Sequence, residues 1–147
     1  MHITKVCLLL MLLALTACAG TTHSVQPLAV SMKDIDKICV VDNPTLSNEI
    51  QGLVNRTVNA KGGITAFPIS SPAVAAEVGC QIYMTYGGTE DWDFVKFLSS
   101  FNLAIYETET HNRVASASGK VPNNLRLDKW SASESLITRM VSDILAN

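Results

Sequence analysis

Charge is scarce in this chain and nearly balanced. Asp, Glu, Lys and Arg make up 16% of its 147 residues, with 11 basic against 13 acidic side chains and a formal net charge of −2. Binding to a phosphate backbone needs a concentrated basic surface, so nucleic acid is excluded as a partner. Histidine is scarcer still, and beyond the leading segment only His23 and His111 remain. His23 lies in a stretch that reads as tether and His111 in a turn, both expected in solvent. There is no Gly-rich phosphate loop, no Gly-x-Ser-x-Gly elbow and no His-Glu-x-x-His pair. The serines between Ser131 and Ser135 have no neighbouring base to activate them. No catalytic residue, metal-ligand set or cofactor motif emerges, and the chain is expected not to be an enzyme. Glycine and proline are few and no repeat or low-complexity tract occurs, which excludes collagen-like and disordered classes and leaves one folded domain.

What is present begins at the amino terminus. Val6 to Leu15 is almost wholly apolar but too short to span a bilayer, and after the weakly basic start at Lys5 it reads as the core of a signal peptide. Leu15-Thr16-Ala17-Cys18 resembles the bacterial lipobox. That resemblance implies a signal peptide over 1–17, a lipidated Cys18 that attaches the mature chain to a membrane, and a tether over 18–32 ahead of a periplasmic domain over 33–147. Several acyl chains make a stable anchor because each buried methylene contributes about 0.8 kcal/mol. Ala19 follows the cysteine in place of Asp, which by resemblance to enterobacterial sorting favours the outer membrane, facing the periplasm.

With Cys7 in the signal and Cys18 lipidated, Cys39 and Cys80 are left together in an oxidising compartment. A disulfide between them is the natural reading, and two separate buried thiols are the alternative. Neither has further ligands at zinc spacing.

The hydrophobic pattern predicts an α+β domain of order β-α-β-β-β-β-α. Lys37 to Asp42 reads as a central strand rich in branched residues. Asn43-Pro44 reads as a helix cap and first helical position, with Leu46, Ile50, Leu53, Val54 and Val58 on one face and Gly62-Gly63 as the stop. Ile64 to Ser70 is a strand that Pro68 confines to an edge, and Gln81 to Tyr86 is a third strand. Gly87-Gly88 reads as a turn. Phe94 to Glu107 and Arg113 to Val121 complete five strands, the last with Ala115, Ala117, Gly119 and Val121 on one face, small enough for a helix to lie close. Ser131 and Glu134 fit a capping box for a final helix through Leu145. The expected architecture is a mixed, mostly antiparallel sheet with two helices on one face.

Thr89-Glu90-Asp91-Trp92-Asp93 holds three carboxylates in a segment read as a loop, but its spacing does not match a calcium-binding loop. Its simplest reading is a solvated loop with Trp92 packed at the sheet end. Trp92 and Trp130 are the candidate interaction residues, each either packing or anchoring a partner.

Lipobox, paired cysteines, the Trp92-Asp93 dipeptide and the Arg113 to Val121 return strand together resemble a family of small proteobacterial outer-membrane lipoproteins. The element order is also similar to periplasmic α+β domains of lipoprotein activators of peptidoglycan synthases and of the Tol-system propeller protein. These resemblances imply a non-enzymatic adaptor or accessory subunit of an envelope assembly, touching the membrane through Cys18 and an envelope protein through its domain. The alternative is a binding module for a small envelope ligand: a glycan, a lipid or a metal.

Overall fold

A computed structural model describes residues 22–93, 95–121 and 128–146. Cys18 and the signal segment lie outside the described residues, as does Phe94. Along the chain come β1 (Thr22–Gln26), a single 3-10 turn (Met32–Asp34), β2 (Lys37–Val41), α1 (Asn48–Asn59), β3 (Thr65–Ile69) and the short α2 (Val74–Glu77). After them follow β4 (Ile82–Asp93), β5 (Val95–Glu107), β6 (Arg113–Lys120) and α3 (Lys129–Ile144). The strands form one mixed sheet in the order β1-β6-β5-β4-β2-β3. β2 runs parallel to β3 and β4 on its two sides, and every other pairing is antiparallel. The α+β expectation is met, with one strand more than the pattern predicts.

The branched residues of β2 explain its place. Ile38, Cys39 and Val40 are wholly buried, as a strand flanked on both edges and covered on both faces requires. β3 takes the free edge beside it, where the missing donor of Pro68 costs no ladder bond. α1 and α3 lie side by side on one face. Ile50, Leu53, Val54 and Val58 from α1 meet Leu136, Ile137, Met140, Val141 and Ile144 from α3 in the main core, over Met84, Phe101, Leu103 and Ile105 of the sheet. The small face of β6 lets α3 approach closely: a Cβ on Gly119 would stand 2.6 Å from Leu136 Cδ1 and 3.1 Å from Met140 Sδ.

Both helix starts differ from the sequence expectation. α1 begins after Ser47, not at Asn43-Pro44. Asn43 is occupied otherwise: its Oδ1 accepts from the Thr45 amide (3.0 Å) and hydroxyl (2.6 Å), and its Nδ2 donates to the Tyr86 carbonyl (2.8 Å). These bonds pin a turn to β4 and delay the helix. In α3, Ser131 and Glu134 are exposed residues inside the helix and form no capping box, because the helix already starts at Lys129 after Asp128. Lys129 is drawn inward, 1% exposed, with its ammonium 4.4 Å from the centroid of the Phe97 ring.

The buried hydroxyl within α3 is that of Ser133, which accepts from the Leu98 amide (3.0 Å) and lies 2.9 Å from the Lys129 carbonyl oxygen, to which it can donate. Ser133→Ala should therefore lower the unfolding free energy by about 1–3 kcal/mol, since it leaves a buried N–H without its acceptor. Urea denaturation of the purified variant measures this, and an unchanged midpoint would contradict it.

The stretch read as tether is partly sheet. Thr22 to Gln26 pairs antiparallel with β6, from Thr22 opposite Lys120 to Gln26 opposite Ser116. Beyond it the Ala29 amide donates to Val114 O (3.0 Å), and Leu28 is buried in the main core. An edge strand is held by backbone bonds, which need no hydrophobic alternation. His23 accordingly sits on the sheet, its Nε2 3.3 Å from Asp143 Oδ2 of α3.

Gly87-Gly88 is no turn. β4 continues through both glycines to Asp93 and pairs with β5 to the end. The register steps from Thr89 opposite Ser100 to Glu90 opposite Leu98, which leaves Ser99 as the extra residue of a bulge. Gly88 lies against that bulge, where a Cβ would collide with the Ser100 carbonyl oxygen. Its role is close backbone approach.

Candidate functional site

The end of the sheet formed by β2, β3 and β4 is closed on the face away from α1 and α3. There α2 and the segment around it cover Cys39, Ile69 and Tyr83, and Cys39 is bonded to Cys80 with 5.9 Å between Cα atoms. The expected disulfide is present, made by the parallel pairing of β2 with β4 that brings residue 80 beside β2. Lys37 donates to the Val78 carbonyl and lies over the Phe67 ring, tying the same corner.

Across β4, β5, β6 and β1 the same face is open. It forms a shallow hollow of about 440 Å³. Strand alternation lays a polar floor there: Ser24 and Gln26 from β1, Ser116 and Ser118 from β6, Asn102 from β5 and Thr85 from β4. Arg113 stands at one end, the single formally charged side chain among the described lining residues. Tyr106 forms part of the wall and stacks on Tyr83 at 5.2 Å between centroids. Tyr83 in turn has its hydroxyl 3.2 Å from His111 Nδ1. Burial, then the neighbouring Tyr106, raises the Tyr83 phenol above its ordinary value. On the helix side, burial pushes Tyr86 up to about 12, so neither phenol supplies a base near neutral pH.

The second feature is the hairpin arm. β2 pairs with β4 only as far as Met84, and β6 pairs with β5 only from Ser100 onward, so among the described residues the outer hairpin has no further strand on either edge. It is held from the helix side by the Leu98–Ser133 bond and by Glu90, whose Oε2 accepts from the Ser47 amide (3.0 Å) and lies 3.2 Å from Lys96 Nζ. Burial raises the Glu90 carboxyl, but Ser47 and Lys96 outweigh it and hold the pKa below the usual value. Near the tip Trp92 is 75% exposed.

The sequence-predicted residues thus separate. Trp92 does not pack at the sheet end, because the segment that carries it is strand rather than loop. Trp130 is half-buried against the main core, so packing is the role the structure gives it. Cys18 is outside the described residues. Among the described residues, no three His, Cys, Asp or Glu side chains gather as a metal site. Missed altogether by sequence reasoning were Arg113, Asn102 and Tyr106 as one surface. Their only shared signal is the exposed set of alternating positions on β5 and β6.

No family pattern and no curated protein matches the chain in sequence. Solved structures of similar fold do exist. The fold is similar to that of PelC. With PelC from Paraburkholderia phytofirmans, a dodecamer, the TM-score is 0.66 at 16% identity, over 86% of this chain and 99% of that one. TolB from Acinetobacter baumannii matches at a TM-score of 0.53 and 14% identity, over 86% of this chain and 30% of TolB. At these identities the likeness concerns the fold.

Proposed function

We propose that the chain is a lipid-anchored envelope protein of the small proteobacterial lipoprotein kind, placed at the outer membrane on Cys18. It acts there as a non-enzymatic accessory subunit of an envelope assembly. The observation that carries this reading is Trp92, 75% exposed near the end of a two-stranded arm that has no further strand on either edge among the described residues. Exposed tryptophan is costly to leave in water and is enriched at the centre of protein interfaces. The dodecamer formed by PelC supports reading this fold as one suited to assemblies. A second reading, a module that binds a small envelope ligand, is favoured by the polar hollow on the opposite part of the sheet.

Crosslinking of intact cells followed by purification of the tagged full chain in mild detergent tests the first reading. Trp92→Ser should abolish recovery of the specific partner without changing the melting temperature. Cys18→Ser should shift the protein to the soluble fraction and remove the partner as well. A partner that stays bound to Trp92→Ser, or full function from the unanchored protein, would overturn the proposal.

A further inference from the structure

We infer that the hollow on the open face of the sheet binds an acidic saccharide, a sugar chain that carries carboxylates. This rests on the ligand-binding reading of the hollow and is independent of the arm. Asn102, Thr85 and Ser118 line the floor, and none of these side chains has a hydrogen-bond partner among the described residues. Amides and hydroxyls both donate and accept, which matches the mixed donor and acceptor character of sugar hydroxyls. The size is that of an ordinary small-ligand site.

Charge decides between neutral and acidic sugars. Among the described residues Arg113 has no carboxylate partner and the lining holds no Asp or Glu to repel an anion. A planar guanidinium takes a carboxylate through two parallel hydrogen bonds. Tyr106 adds a fixed wall: its ring is backed by Tyr83, which is itself held at His111. An amphipathic ring so placed can take the C–H face of a pyranose while the floor binds its hydroxyls.

Other occupants fit less well. A lipid would bury its chains against hydroxyls and amides. A peptide strand needs unpaired backbone groups, which a sheet offers at its edges and not on its face.

The test uses the full chain purified in detergent, with oligogalacturonate as the acidic probe, its methyl ester as the neutral one and free galacturonate as the simple anion. Binding is followed by calorimetry and by shifts of backbone amide resonances. Oligogalacturonate should bind and shift the amides of 102, 113 and 118. The ester, the single sugar and the variants Arg113→Gln and Asn102→Ala should each bind about tenfold more weakly, a loss typical of one charged or bidentate contact. Arg113→Lys should recover part of the affinity. Both side chains are on the open face, and unchanged melting temperatures confirm that the variants fold.

Equal affinity for acid and ester would overturn the acidic class while leaving ligand binding intact. Equal affinity for galacturonate and its oligomer would reduce the site to a simple anion site. Undiminished binding by Arg113→Gln would place the sugar elsewhere, and no binding at all would overturn the ligand-binding reading with it.

Discussion

Replacing Cys39 and Cys80 together by alanine should lower the unfolding free energy by about 4 kcal/mol, the chain-entropy value for a loop of this length. The bond joins residues 41 apart, and both half-cystines are buried, Cys39 completely. Its effect is concentrated where the sheet needs it. The bond links β2, the most buried strand, to the start of β4, and α2 with its neighbours packs over it. Without it, the segment between β3 and β4 is tied to the rest of the domain by that small cluster, by the Lys37–Val78 bond and by the Thr108 amide, which donates to the Gln81 carbonyl (2.9 Å). For a domain of this size about 4 kcal/mol is a large share of total stability. Urea unfolding of wild type, wild type with reductant, and the double variant distinguishes the contributions. Reduced wild type and the variant should fall together. Midpoints that coincide with oxidised wild type would mean that the cross-link is energetically idle.

Gly119→Val should be strongly destabilising, costing about 3 kcal/mol as overpacking of a filled core does. A Cβ at this position would meet three groups at once: Leu136 Cδ1 at 2.6 Å, the Thr22 carbonyl oxygen at 3.0 Å and Met140 Sδ at 3.1 Å. Leucine and methionine ends can move, but the Thr22 oxygen is backbone of β1 and is held in the ladder with β6. Valine adds two methyl groups beyond the Cβ, so α3, β1 or both must shift. Gly119→Ala should cost less, because the flexible ends can give way and the unfolded chain loses freedom that glycine had. Thermal denaturation ranks the three proteins as wild type, alanine, valine. A valine variant as stable as wild type would show that α3 rides more loosely on β6 than the structure has it.

Both effects also bear on how far pattern reading reaches. The Ala115-Ala117-Gly119 face of β6 is legible because strand alternation exposes it, and it predicts a close helix, which α3 supplies. The disulfide is legible by counting cysteines once the signal segment is set aside. Helix limits are less so. Asn43 carries the cap signal of a helix start, yet its side chain spends its bonds on Thr45 and on Tyr86, a residue 43 positions away that no local window contains. Ser131 and Glu134 fail as a capping box for a related reason: the helix already starts at Lys129, which is buried with its ammonium over the Phe97 ring, a residue 32 positions away.

The two surfaces with the clearest functional bearing were the least visible. Glycine pairs mark turns far more often than strands, so Gly87-Gly88 disguised the arm that carries Trp92. β1 was hidden because an edge strand is selected by backbone hydrogen bonds to β6, and its own residues Thr22 to Gln26 show no hydrophobic period.

Residue order was enough for the α+β class, the two-helix face, the cysteine pair and the lipobox resemblance, since each rests on local periodicity, composition or count. Tertiary structure alone decided the sheet order, the bulge at Ser99, the exposure of Trp92 and the meeting of Asn102, Tyr106 and Arg113 around one hollow. Those depend on which strands lie side by side, and that is fixed by contacts between residues far apart in the chain.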